Sequence, residues 1–435
     1  MERAYESLVS EIEKIPVIDA HSHIDPRRPS ARDLDDILAD RCLRDLILAA
    51  GLDPELLRSD VPPEERARAS GRLLAAIENT AAYRWFDELA RTLFGFSGRR
   101  VRPAEFRDLW AAAERTLNQE NWEENLFHRS RIEKIFLTND FDDSLEGFDA
   151  ARYVPCLRAD DLVFGLSEPA TVERMRQAGA TDVGNAASLR EAFGAILAKF
   201  AARGAKACAV ALPPDFAPVR VSEGSADPKL RRLLAGEEAT QAEAAEVSAF
   251  AFWTFLELCS DRRLPLHVFA GVEREGIGGP RRGGLRRWNR PPSLYGYRDL
   301  FREFPGIPFA VSTPFGDANG ELIAMSCAFP NLTPCGHWWY SEAPALLERD
   351  LRARLQSVPR TKQIGYFSDA GTLEFVAPKF AGYRRLLARV LAADFVVERG
   401  WTEDRALELA RDLLRGNAAR LFFGAEPRED GGQRP

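Results

Sequence analysis

Apolar and polar positions along the chain fall into a two-part rhythm. Eight short, nearly continuous apolar runs recur: PVIDAH (16–21), KIFLTN (134–139), RYVPCLR (152–158), KACAVAL (206–212), LPLHVFAG (264–271), PFAVST (308–313), NLTPCGHWW (331–339) and QIGYFSD (363–369). Runs of this length without polar alternation predict parallel strands buried on both faces. Between them lie longer stretches, such as ASLREAFGAILAKFAARG (187–204) and QAEAAEVSAFAFWTFLELCSDRR (241–263), with apolar residues at helical spacing. Eight strand–helix units predict an α/β fold, a (β/α)8 TIM barrel.

Two segments break the rhythm. Residues 27–130 contain ARDLDDILADRCLRDLILAAG and YRWFDELARTLFGF, which predict a large helical insertion after the first strand, lying over the strand ends. Residues 273–293 include GIGGPRRGGLRRWNRPPS, too rich in Gly, Pro and Arg for regular structure. In a barrel this loop lies on the catalytic face, as a cationic lid or as a plain solvated loop. Residues 1–425 therefore read as one barrel domain and 426–435 as a polar tail.

Bulk properties narrow the partners. A net charge of −7 makes no electrostatic case for nucleic acid or an anionic membrane surface. No window approaches the roughly 18 uninterrupted apolar residues of a membrane span, and MERAYESLVSEIEKIP lacks the apolar core of a signal peptide. The six cysteines form no CxxC pair, so they read as reduced thiols in a cytoplasmic protein. The expected partner is a small anionic substrate, and homo-oligomerisation is left open.

Chemistry concentrates at the predicted strand ends, where barrel active sites are built. His21 and His23 close the first strand, and residues i and i+2 of a strand share a face, so both imidazoles can converge on one ion. His267 lies in the fifth strand, and Asp369 closes the eighth, next to the first once the barrel closes. Together they make a plausible mononuclear N/O site. Asp369 is also a proton-transfer candidate. The fourth strand offers no Lys or His to bridge a second metal. His337, in CGHWWYSE, is an acid–base candidate or a packing residue beside Trp338 and Trp339; His128 reads as structural. Arg158 ends the third strand, suited to holding a carboxylate or to pairing with Asp160 or Asp161.

With these residues in place, the chain resembles the uronate (glucuronate) isomerase family of the amidohydrolase superfamily. IDAHSHIDP is similar to the family's Asp-x-His-x-His-x-Asp-Pro opening, and YRWFDELARTLFGF to its first insertion. LTNDFDDSLEGF, LRADDLVF, LPLHVFAG, HWWYSE and GYFSDAGTLEF match further family segments in order, over nearly the whole length. The resemblance implies a distorted barrel of the metal-dependent hydrolase type and one divalent ion on His21, His23, His267 and Asp369. Zinc is the first choice, with manganese, cobalt or iron as alternatives. It implies aldose–ketose isomerisation of a sugar acid resembling glucuronate or galacturonate, with Arg158 on the substrate. The alternative is a metal-dependent hydrolase, lyase or decarboxylase acting on another small carboxylate. The chain departs from the family pattern twice. Asp-His-Tyr becomes Asp40-Arg41-Cys42, and the arginine of Thr-Asp-Ser-Arg becomes Gly371. Arg41 thus enters as a new substrate-binding cation, with Trp339 as a further substrate contact.

Overall fold

A computed structural model of the chain describes residues 1–98, 101–102, 105–178, 182–271 and 293–424. β1 (Val17–Asp19), β2 (Ile132–Phe136) and β3 (Tyr153–Val154) pair in parallel in that order. β4 (Cys156–Arg158), β5 (Ala207–Leu212), β6 (Leu266–Ala270), β7 (Phe309–Ser312) and β8 (Leu332–Pro334) form a second parallel set. β3 and β4 are two halves of one expected strand. Pro155 between them has no N–H for the ladder. Asn139 bridges the break: its N–H donates to Cys156 O, its carbonyl accepts from Arg158 N, and its Oδ1 accepts from Cys156 N.

The eighth apolar run is the least regular. It joins β8 only through the Cys335–Ile364 bridge. The ring nevertheless closes onto the first strand, with Asp369 N donating to His21 O (3.2 Å) and His23 N to Ala370 O (2.8 Å). Strands and interleaved helices thus make a distorted (β/α)8 barrel. Its interior packs small residues, Ala20, Ala209 and Ala310, against Phe136, Phe269 and Phe367.

After α1 (Glu2–Ile12) and β1, the insertion folds as α2 (Leu34–Leu38), α3 (Arg41–Ala49), α4 (Pro63–Gly71), α5 (Ala81–Phe94), α6 (Phe106–Leu117) and α7 (Trp122–Ser130). Side-chain caps start several of these helices. Asp33 accepts from Asp36 N, Asp40 from Cys42 N and Thr80 from Tyr83 N. Their apolar faces (Ile37, Leu43, Phe86) share one core with Phe380, Tyr383 and Leu387 of the helix Leu373–Val390. Glu374, in the first turn of that helix, ties the insertion down. It accepts from Trp122 Nε1 at 2.9 Å and from Ala31 N at 3.2 Å. Residues 273–292 of the expected lid, and the tail 426–435, lie outside the described residues.

Candidate active site

β1 ends at Asp19, and the extended residues beyond it send two imidazoles toward Asp369. The donor atoms of His21, His23 and Asp369 all lie within 4.8 Å of one another. Asp369 Oδ1 is 3.3 Å from Nε2 of each histidine, and Oδ2 accepts from Trp338 Nε1 at 3.1 Å. Thr138 Oγ1 lies 3.5 Å from His21 Nδ1 and donates to Ser22 O.

The backbone under Asp369 is strained. Its φ is 49°, a left-handed conformation that costs a non-glycine residue about 1–3 kcal/mol unless its surroundings enforce it. Enforcement comes from the neighbouring residue. The buried Asp19 carboxylate accepts from Ser368 N (2.8 Å) and Ser368 Oγ (2.5 Å), while Lys379 Nζ donates to Ser368 O (2.8 Å).

Electrostatics fit a cation at this point. Burial, reinforced by the charge of His23, lowers the His21 pKa to about 4, leaving the imidazole neutral and able to donate a lone pair. Burial alone would raise the Asp369 carboxyl, but His21 and His23 outweigh it and hold it well below its usual range. Asp369 Oδ1 is buried with no aligned hydrogen-bond donor. A buried carboxylate oxygen facing two imidazole nitrogens is the arrangement a divalent metal satisfies.

His267 is not one of the three converged donors, but it stays beside them, its ring centroid 5.7 Å from that of His21. It pairs with Ala209 and Ala310 inside β6, three residues before the strand's end. Its Nε2 is 2.8 Å from Ser312 Oγ, and its ring stacks on Phe269 with centroids 4.0 Å apart. His337 is likewise not brought to the group. Gly336 (φ 58°) turns the chain past β8, and His337 is buried 6.4 Å from the Tyr383 ring, next to the backbone that Arg354 grips through Gly336 O. Burial and then the Arg354 charge hold its pKa well down, as for a packing residue.

Two cavities are lined by candidate substrate-binding residues, one of them reaching His23. One, of about 450 Å³, is lined by His23, Asp25, Arg27, Thr138, Asn139 and Arg158 among others. The Arg158 guanidinium is already paired there with Asp140 (2.8 Å) and lies 3.6 Å from Asp160, while Asp161 goes to Arg174. The other, of about 290 Å³, is lined by Arg41, Cys42, Leu46, Trp85, Trp339 and Glu342, with small residues between. Arg41 is exposed and has no ion-pair or hydrogen-bond partner among the described residues. Trp339 (φ 46°) packs on Trp338 with ring centroids 4.4 Å apart, which connects this cavity to Asp369.

Several residues here escape sequence reasoning. Glu342 is buried beside the second cavity, and Tyr366 donates to its Oε1 at 2.8 Å. Lys379 is buried in the helix Leu373–Val390, with Nζ 3.9 Å from Cys42 Sγ and over the Trp85 ring. The available signal was a lone lysine within the apolar FVAPKFAGY and an acidic residue directly after HWWYS.

A family model for glucuronate isomerase matches residues 2–277. Uronate isomerase from Rhizorhabdus wittichii is 24% identical over 439 residues, covering 93% of this chain and 92% of its own. Two solved structures share the fold at 20% identity. Uronate isomerase from Thermotoga maritima has a TM-score of 0.86 and covers 97% of both chains. Glucuronate isomerase from Caulobacter crescentus has a TM-score of 0.87 and covers 98% of this chain and 95% of its own.

Proposed function

The chain belongs to the glucuronate isomerase family, and we propose that it interconverts the aldose and ketose forms of a hexuronic acid at the His21, His23 and Asp369 group. The observation that carries this reading is the convergence of these three donors at the barrel mouth around an undonated carboxylate oxygen. They would hold one divalent ion. Zinc is our first assignment for two imidazoles and a carboxylate, a set that manganese, cobalt and iron also accept. When bound, the ion supplies Lewis-acid polarisation of the substrate's carbonyl and hydroxyl oxygens.

The remaining tasks fall to the chain's own side chains. Arg41 holds the substrate carboxylate, because it is the cation at the second cavity left unpaired among the described residues. Arg158 is largely neutralised by Asp140 and Asp160, so it contributes hydrogen-bond donors and shape more than charge. Trp85 and Trp339 wall the cavity and exclude water from the reacting carbons. A hydrolase, lyase or decarboxylase is not favoured, since the family match and the near-full-length relatives are isomerases. The six free thiols agree with a reducing compartment such as the cytoplasm, and among the described residues no helix is long and apolar enough to cross a membrane.

The test is direct. Metal-loaded protein is incubated with glucuronate and with galacturonate, and the ketose is sought by NMR. Conversion of either supports the reading; metal-bound protein that yields no ketose from both refutes it.

A further inference from the structure

An aldose–ketose isomerase working through an enediol moves a proton between adjacent carbons, and the oxygens of Asp369 are already engaged. Its Oδ2 is committed to Trp338 Nε1 and its Oδ1 faces the two imidazole nitrogens. Cys42 lines the second cavity, but burial pushes its thiol well up, so it is not a base near neutral pH. Asp45 lies exposed at the rim, and His337 is not among the residues lining either cavity.

Glu342 remains. It closes the turn Trp339–Glu342 after β8, and only 4% of it is exposed. The Tyr366 hydroxyl fixes its Oε1, and the Tyr366 ring is itself clamped by parallel stacking on Tyr383 at 4.9 Å. No lysine or arginine lies within ion-pair distance of this carboxyl among the described residues, so it is not one half of a structural salt bridge. The cavity is at the small end of ligand pockets. Among its lining residues Glu342 and Trp85 are buried, Trp339 is half-buried and Arg41 is exposed.

We propose that Glu342 is the catalytic residue that carries the proton between C-2 and C-1 of the substrate, while Arg41 holds the carboxylate in the same cavity. This rests on the isomerase reading above. In the first step the Glu342 carboxylate takes the C-2 hydrogen as a proton. The C–H pair becomes the C-1=C-2 double bond, and the carbonyl π pair moves onto O-1. The O-2 hydroxyl proton then passes to O-1. In the second step O-2 re-forms a carbonyl at C-2, and the C-1=C-2 pair takes the proton back from Glu342 to make the new C-1–H bond. No proton or electron is gained or lost overall.

The environment suits a group that must both take and return a proton. Burial lifts the Glu342 pKa to about 7, opposed by Lys379 from the helix Leu373–Val390 and by the Tyr366 hydroxyl. The charges of Asp369 and Asp40 add to the lift. A proton-transfer group works best with its pKa near the operating pH.

The test uses metal-loaded wild type, Glu342→Gln and Glu342→Asp with whichever hexuronate is converted. Glu342→Gln keeps the shape and an acceptor for Tyr366, so metal content, melting temperature and KM should hold. Its kcat should fall about 10²–10⁴-fold, the usual worth of a general base. Wild-type kcat/KM should rise with pH through about 7, and Glu342→Asp should retain part of the rate with that limb displaced. A Glu342→Gln enzyme keeping more than a tenth of wild-type kcat overturns the assignment, as does a limb that Glu342→Asp leaves unmoved. Those failures require an active wild type. Metal-loaded wild type that makes no ketose overturns the isomerase reading instead, and this assignment with it.

Discussion

Glu374 is the clearest test of what holds the helical insertion over the barrel. Its fully buried carboxylate receives the indole N–H of Trp122 in α7 and the backbone N–H of Ala31 just before α2. Glu374→Ala removes the acceptor for both while leaving both buried. An unsatisfied buried donor costs about 1–3 kcal/mol, so the loss should total about 2–6 kcal/mol. Unfolding entropy near the midpoint is about 2.1 cal/mol/K per residue, or about 0.9 kcal/mol/K for this chain. The expected fall in melting temperature is therefore about 2–7 °C by circular dichroism. Glu374→Gln should fall in between, because its carbonyl can keep Trp122 while its amide presents a donor to the Ala31 N–H. Hydrogen exchange should quicken first in α2 and α7. A melting temperature within 1 °C of wild type for Glu374→Ala, or unchanged exchange in those helices, would refute the reasoning.

Four further outcomes follow from the site. Arg41→Ala should raise KM for a hexuronate about 10–100-fold with kcat nearly constant, the worth of one charge-assisted hydrogen bond; Arg158→Ala, already paired, should raise it less in the same assay. Stripping the metal from protein held at 100 times its dissociation constant should cost about 2.7 kcal/mol, or about 3 °C by the entropy above, and cobalt-loaded His21→Ala or Asp369→Ala should lose the visible absorption of the wild-type site. The His337 pKa is depressed in the fold, so its stabilisation is fully present above the ordinary value of 6.5 and is lost as pH falls below it; this histidine should add up to about 1.4 kcal/mol per pH unit to the acid-side slope, and urea titrations of His337→Phe should lack that increment. A Cβ at Gly371 would meet nothing within 4 Å, so Gly371→Arg should fold with an unchanged melting temperature and lower KM for glucuronate.

What could be read from the chain without a structure was what is encoded locally. Continuous apolar runs report burial on both faces wherever the strand ends up, so all eight barrel positions were visible, as was Pro155 inside the third. The His21–His23 pair was visible because strand geometry makes residues two apart share a face. Depth is not local. His267 carries a ligand's chemistry, yet its distance from His21 is set by the register that pairs it with Ala209, and no feature of LPLHVFAG reports that register. Neutralisation is not local either, since the Arg158 charge was plain while its partner Asp140 comes from the loop after β2. The same reasoning explains why Glu342 escaped notice. Its tyrosine comes from the eighth run, its nearest lysine from the following helix and its cavity wall from the insertion. Three separate segments must fold together before that carboxyl differs from any other acid after a strand. The metal ligands and the cavity wall therefore answer to different constraints. Asp19 and Ser368 lock Asp369 into a geometry that leaves little freedom to the cage, whereas Arg41, Cys42 and Gly371 sit on the insertion and on the loop after the eighth run, where a change of side chain disturbs no strand. A barrel of this kind can alter how it grips a substrate while its metal site stays as it is.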